Sequence, residues 1–179
     1  GKGALPDDHP FILGMTGFWG TQYINDSCRN ADLILALGTR FKEADSSSWY
    51  PEYTFDIPKT KLIQIDIEPG EIGRNYPVEI GAVADLKQAL EVLLKAAKKI
   101  VPQGIQRDVL KQEMADNREA FKQSNTEMER SDAFPMMPER ILAEVREVLP
   151  RDAIITTDVG WNKNGVGQQF PVYEPGSIL

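Results

Sequence analysis

The residues best placed to do chemistry are three glycines, Gly14, Gly17 and Gly20, that stand directly before the polar run "TQYINDSCRNA". The first amides of a helix have no intrahelical partners, and the helix dipole makes that end partly positive. A diphosphate therefore binds well where glycines let it approach, as Gly17, Gly20 and Thr21 would allow. The alternative is that these glycines only satisfy the backbone geometry of a turn.

A second set of polar residues follows two apolar runs. "ADLILALG" (31–38) ends at Gly38, Thr39 and Arg40, and "TKLIQIDIE" (60–68) ends around Asp66. Open α/β sheets bind ligands at the carboxyl ends of their strands, where Arg40 can pair with a phosphate and Asp66 with ribose hydroxyls or an adenine amine. Arg40 as a surface ion-pair partner and Asp66 as a strand-end cap remain alternatives. The spacing is not the Gly-x-Gly-x-x-Gly dinucleotide fingerprint.

The elements that must position these residues form a parallel sheet. Both runs are typical of strands buried on both faces, "VEIGAVAD" (78–85) predicts a third strand, and 86–99 predicts an amphipathic covering helix. Residues 42–59 predict an irregular loop or a broken helix. The first domain is therefore expected over 1–100, lacking its first strand.

The remainder of the chain divides in two. Residues 101–132 are polar with sparse apolar anchors, which predicts an exposed helical connector. Residues 133–179 restart a compact unit, with a helix from Pro138 and a strand over 152–160. Because 161–179 supply only one weak helix, we expect this second α/β domain to be truncated and the chain to be a fragment of a longer polypeptide.

Composition excludes several classes of protein. The 20 basic and 27 acidic residues give a net charge of −7 without a basic stripe, so nucleic acid is not expected as a partner. No apolar run approaches membrane-spanning length, and no signal peptide is evident, so a cytoplasmic protein is expected. Cys28 and His9 are the only residues of their types, too few for a disulfide, a zinc site or Ser-His-Asp chemistry.

Several longer motifs resemble one family. The opening Gly-Lys-Gly-Ala, the His-Pro pair, Gly-Met-x-Gly-x-x-Gly-Thr, Gly-x-Arg-Phe and Ile-Asp-Ile-Glu-Pro-x-Glu-Ile-Gly are similar to the central domain of thiamine diphosphate-dependent enzymes of the acetolactate synthase type. The resemblance covers about residues 1–98. A second stretch, "PMMPERILAEVREVLPRDAIITTDVG", resembles the start of the family's diphosphate-binding domain.

The resemblance implies an α/β fold, a six-stranded parallel sheet with helices on both faces, that binds the ADP part of FAD, ADP or nothing. The residues it places at the nucleotide are Gly17, Gly20, Thr21, Gly38, Thr39, Arg40, Asp66, Ile67 and Asp85. Those it places at the thiamine diphosphate are Gly160, Trp161 and Asn162. Flavin-bearing members continue Arg-Phe with Asp-Asp-Arg, where this chain has Lys42-Glu43-Ala44, and acetolactate synthases have Gly-Gln-His near Trp161.

The activity implied for the intact parent is formation or cleavage of carbon–carbon bonds of 2-oxo acids, by a transferase or lyase that uses thiamine diphosphate and Mg²⁺ as a homodimer or homotetramer. The family's activating glutamate and metal motif match nothing here, so no catalytic or metal-binding residue is predicted and the fragment is expected to be inactive. Two alternatives stay open: a stand-alone ADP- or FAD-binding regulatory module, and an NAD-dependent deacylase, for which His9 and Cys28 do not supply the site.

Overall fold

The computed structural model describes residues 1–179, which separate into two compact units. The sheet unit comprises 16–18 and 22–106, and the helical unit comprises 1–15, 19–21 and 107–179. The predicted division at 100 and 132 stays a prediction. Each unit is described by itself.

The sheet unit is built on three parallel strands, β1 (Leu33–Leu37), β2 (Lys61–Asp66) and β3 (Ile80–Val83), in the order β1-β2-β3. Leu37 pairs with Ile65, so the carboxyl ends of β1 and β2 lie at one edge, as the apolar runs predict. The sheet has three strands where the resemblance implied six. The rest of the unit forms helices and turns, because it contains no further apolar run of strand type.

Two helices and three short 3₁₀ segments complete the sheet unit. Helix α1 (Gln22–Arg29) precedes β1, and α2 (Leu86–Ile100) follows β3. The 3₁₀ segments are Gly17–Trp19, whose last residue belongs to the helical unit, Glu43–Trp49 and Pro69–Glu71. Non-helical backbone at Ser46–Ser48 interrupts the second of these, so the predicted loop or broken helix over 42–59 is a broken helix in part.

The core of the sheet unit is aromatic on one side of the sheet. Phe41, Phe55 and Tyr76 pack edge to face, with ring centroids 5.2 to 5.8 Å apart, against Ala36 of β1 and Leu62 of β2. Such pairs add about 0.5–1.5 kcal/mol to the burial of the rings themselves. Phe41 directly follows Arg40, so this core anchors the loop after β1.

Cys28 of α1 packs against that core, and burial raises the pKa of its thiol from an ordinary 9.0 to about 11. Since only the thiolate reacts with disulfide reagents, labelling of the folded chain at pH 8 should be about 100-fold slower than labelling of the chain unfolded in urea. The rate of colour release from an aromatic disulfide checks this. Equal rates in the two states would contradict the burial of this thiol.

The helical unit contains α3 (Asp108–Glu129), α4 (Pro138–Val148) and α5 (Trp161–Gln169), and Val166, Phe170 and Val172 form its core. Residues 152–160 do not form the predicted strand. Ile155 makes a single parallel bridge with Ile178. Three backbone hydrogen bonds join 155–157 to 177–179, and the pairing does not extend beyond this bridge.

Candidate functional site

The candidate site of the sheet unit begins where β1 ends. Gly38 has a φ of 61°, which favours glycine, and its amide donates to the carbonyl of Ile65 over 2.9 Å. At the same edge, the amide of Ala84 donates to the carbonyl of Asp66 over 3.0 Å. The sheet therefore brings the ends of all three strands together, as the sequence predicts.

Arg40 is the exposed cation of this edge. Its side chain is 61% exposed, and its Nε lies 3.8 Å from Oε1 of Glu71. This 3.8 Å contact is longer than a hydrogen bond, and the guanidinium fork ends in two further nitrogens that can donate. Because that fork matches the geometry of carboxylate and phosphate oxygens, Arg40 is available to an anion while Glu71 restrains its stem.

A buried amide side chain holds the loop that carries Arg40. Gln64, inside β2, donates to the carbonyls of Thr39 (3.3 Å) and Glu71 (2.9 Å) and accepts from the amide of Gly73 (2.9 Å). Asn75 donates to the carbonyl of Arg40 over 2.9 Å. The loop after β1 is thus tied to the turn after β2 by side chains rather than by strand pairing.

Sequence reasoning missed Gln64, Glu71 and Asn75. Glu71 is buried, accepts from Arg74 over 3.0 Å, and its second oxygen, Oε2, has no hydrogen-bond partner. The signal that could have found this network is Gln64 itself, a polar residue in the middle of a strand whose pattern otherwise indicates full burial.

The two predicted aspartates cap backbone groups. Asp66 is buried and its Oδ1 accepts from the amide of Glu68 over 2.9 Å, while Asp85 begins α2 by accepting from Gln88 over 3.1 Å. These contacts favour the strand-end cap for Asp66 and a helix cap for Asp85. Ile67 is exposed. A role for the three residues in holding adenosine stays a prediction.

Gly17 is enclosed by protein. Its amide donates to Oδ1 of Asn25 over 2.9 Å, and its carbonyl accepts from Nδ2 of the same side chain over 3.0 Å. A Cβ at Gly17 would lie 2.0 Å from the carbonyl oxygen of Ala44. The amide predicted to receive a diphosphate is therefore already engaged, which favours a packing role for this glycine.

Gly20 and Thr21 directly precede α1 in sequence and belong to the helical unit. Arg40 belongs to the other unit. Contact of Gly20 and Thr21 with a diphosphate stays a prediction.

The predicted thiamine diphosphate residues lie at the start of α5. Gly160 has a φ of 138° and precedes the helix without any side-chain cap, so the first amides of α5 lack a capping side chain. Asn162 donates to the carbonyl of Asp158 over 3.3 Å, and a Cβ at Gly165 would lie 2.6 Å from the ring of Trp161. This helix start has the uncapped amides that an anionic group requires.

No helix of the structure combines the length and apolar character needed to cross a membrane. The structure also contains no cluster of three or more His, Cys, Asp or Glu side chains arranged to hold a metal ion.

Comparison with known families places the chain in one of them. A family described as the central domain of thiamine pyrophosphate enzymes matches residues 1–93, more than half of the 179. The chain belongs to this thiamine pyrophosphate enzyme family.

Similar curated proteins have related names. They include a probable acetolactate synthase large subunit from Methanocaldococcus jannaschii, 33% identical across all of this chain and 30% of its own length. A sulfoacetaldehyde acetyltransferase from Roseovarius nubinhibens is 30% identical over 97% of this chain and 31% of its own. A glyoxylate carboligase from Escherichia coli O157:H7 is 29% identical over 97% of this chain and 28% of its own. The chain thus spans roughly a third of the length of these relatives.

Proposed function

We propose that this chain is the nucleotide-binding part of a thiamine diphosphate-dependent enzyme that forms or cleaves carbon–carbon bonds of 2-oxo acids. In this proposal the sheet unit holds ADP, or the ADP half of FAD, at the carboxyl edge of its strands. The single observation that carries the nucleotide site is Arg40, whose guanidinium fork is exposed while its loop is fixed from behind.

The physical support is that the loop backbone at Arg40 is already ordered, so an anion that binds the guanidinium does not also have to order the loop. A charge-assisted hydrogen bond from arginine to phosphate is roughly twice as strong as one between neutral groups. Gly38 leaves the edge uncrowded, since the nearest atom to a Cβ built there is Leu86 Cδ2 at 3.5 Å. Gly20 and Thr21 belong to the helical unit, and we propose them separately as residues that bind a diphosphate.

The start of α5 fits the diphosphate of the thiamine cofactor. The first turn of α5 has no capping side chain, and the amides of Trp161 and Asn162 would donate to the phosphate oxygens, with Mg²⁺ held elsewhere in the parent. When bound, the thiamine group supplies the stabilisation of negative charge on carbon that such reactions need. The residues of this chain bind and orient the group.

The wider proposal covers the parent enzyme. The names of the relatives describe a synthase, an acetyltransferase and a carboligase, which supports a transferase or lyase acting on small acids and does not select one substrate. We infer a homodimer or homotetramer in the cytoplasm.

The test of the nucleotide site is calorimetric titration of the chain with ADP and with FAD. Replacing Arg40 by alanine removes a charge-assisted contact, so Arg40→Ala should weaken binding by about 1.5–3 kcal/mol, roughly ten- to a hundredfold. Gly20→Val should block the approach of the diphosphate by its bulk.

The matched control is Lys42→Ala, which removes an exposed cation two residues along the same loop. It should change the affinity by less than about threefold, because an exposed charge without a direct hydrogen bond to the phosphate contributes only a solvent-weakened attraction. Equal losses in the Arg40 and Lys42 variants would mean that Arg40 contributes only general charge. Absence of binding below about millimolar concentration would contradict the nucleotide site.

A further inference from the structure

A second concave site in the sheet unit has aromatic walls. Phe18, Tyr50 and Tyr53 line a cavity of about 270 Å³ together with Ser47 and Ser48. All three aromatic side chains are more than half exposed, although Phe41, Phe55 and Tyr76 of the same unit are buried against one another. Three large rings are thus gathered at the surface around an open space.

The backbone around this aromatic pocket is strained. Ser47, Ser48, Trp49 and Glu52 all have φ between 50° and 64°, a region that side chains rarely occupy outside glycine. Hydrogen bonds hold the segment there: Ser47 and Thr54 join hydroxyl to hydroxyl over 2.8 Å, and Trp49 Nε1 donates to the carbonyl of Phe41 over 2.7 Å. Strained backbone that its surroundings hold in place is concentrated at ligand-binding and active sites.

A carboxylate lies beside the pocket lining. The hydroxyl of Ser48 donates to Oε1 of Glu43 over 3.1 Å, which places that carboxylate one hydrogen bond from the lining. No lysine or arginine lines the cavity; Arg29 donates to the carbonyl of Glu52 over 3.3 Å, outside the lining. Both serine hydroxyls already have partners, so the lining offers aromatic surface and nearby negative charge.

We propose that this aromatic pocket binds a small organic ammonium cation. The faces of aromatic rings carry negative potential and attract a cation within about 6 Å, and quaternary ammonium groups are recognised by aromatic cages of this composition. The Glu43 carboxylate, which accepts the hydrogen bond of Ser48, adds attraction without lining the pocket. The proposal does not depend on nucleotide binding at Arg40.

The experiment titrates the chain with choline and with its neutral isostere, in which a carbon atom replaces the nitrogen, and follows amide chemical shifts by NMR. The two probes have the same shape, so their difference isolates the charge. Choline should bind saturably and about fivefold or more tighter than the isostere, with shifts centred on Phe18 and residues 47–53.

Substitutions test whether choline binds at the residues that line the aromatic pocket. Tyr50 is exposed, so Tyr50→Ala should leave the fold intact and weaken choline about threefold or more, while Tyr50→Phe, which keeps the ring, should stay within about twofold. Glu43→Gln should reduce choline affinity and leave the isostere unchanged. Equal affinity for both probes, or no saturation with choline below about 100 mM, would overturn the proposal.

Discussion

Gly17→Ala should destabilise the sheet unit by more than about 3 kcal/mol, a large part of the roughly 5–15 kcal/mol that holds an ordinary domain folded. Gly17 has a φ of 79°, and an added Cβ would lie 2.0 Å from the carbonyl oxygen of Ala44 and 2.5 Å from the carbonyl carbon of Asp45. Backbone atoms cannot rotate away as a side chain can, so the segment at 44–45 must move. Urea denaturation followed by circular dichroism measures the loss.

The matched control is Gly104→Ala in the same unit. Gly104 has a similar φ of 69°, but no atom lies within 4 Å of the place that an added Cβ would take. Its substitution should cost only the backbone strain of about 1–2 kcal/mol. If the two variants lose the same stability, the backbone at 44–45 does not restrict the side chain at position 17. A ligand-binding role would then again be a reason for the glycine.

Leu62→Ala should cost about 2–5 kcal/mol, because it leaves a cavity in the aromatic core. Leu62 lies in the central strand β2 and is 1% exposed. The comparison variant is Leu33→Ala, on the neighbouring strand β1, where the side chain is 48% exposed and the loss should stay below about 1 kcal/mol. The urea midpoints of the two variants measure the difference in stability. Similar midpoints would show that the core does not centre on β2.

The parallel sheet was predictable because its information is local. β1 and β2 are apolar runs of strand length that end in glycine or acid, and Asp85 marks the start of α2 by ordinary helix capping. Parallel strands must place their carboxyl ends at one edge, so the position of Gly38, Arg40 and Asp66 followed from the run boundaries alone.

The contacts inside the site were not predictable in the same way. A glycine that approaches a phosphate and a glycine that approaches another backbone look identical in sequence. The pairing of Gly17 with Asn25 and the nearby backbone of Ala44 favour the second role here. Glu71 and Asn75 act through residues more than thirty positions away in sequence, Arg40 and Phe41. The run at 152–160 failed as a strand because strand formation depends on a partner, which no local pattern supplies.

Gln64 has a thermodynamic consequence for any ligand of the sheet edge. One buried side chain restrains the loop at Thr39 and the turn at Glu71 and Gly73 before a ligand arrives. Ordering a mobile side chain on association costs about 0.5–1.5 kcal/mol, and mobile loops add to that cost. Because the entropy loss has already occurred on folding, a ligand at Arg40 would encounter a surface that needs little further ordering.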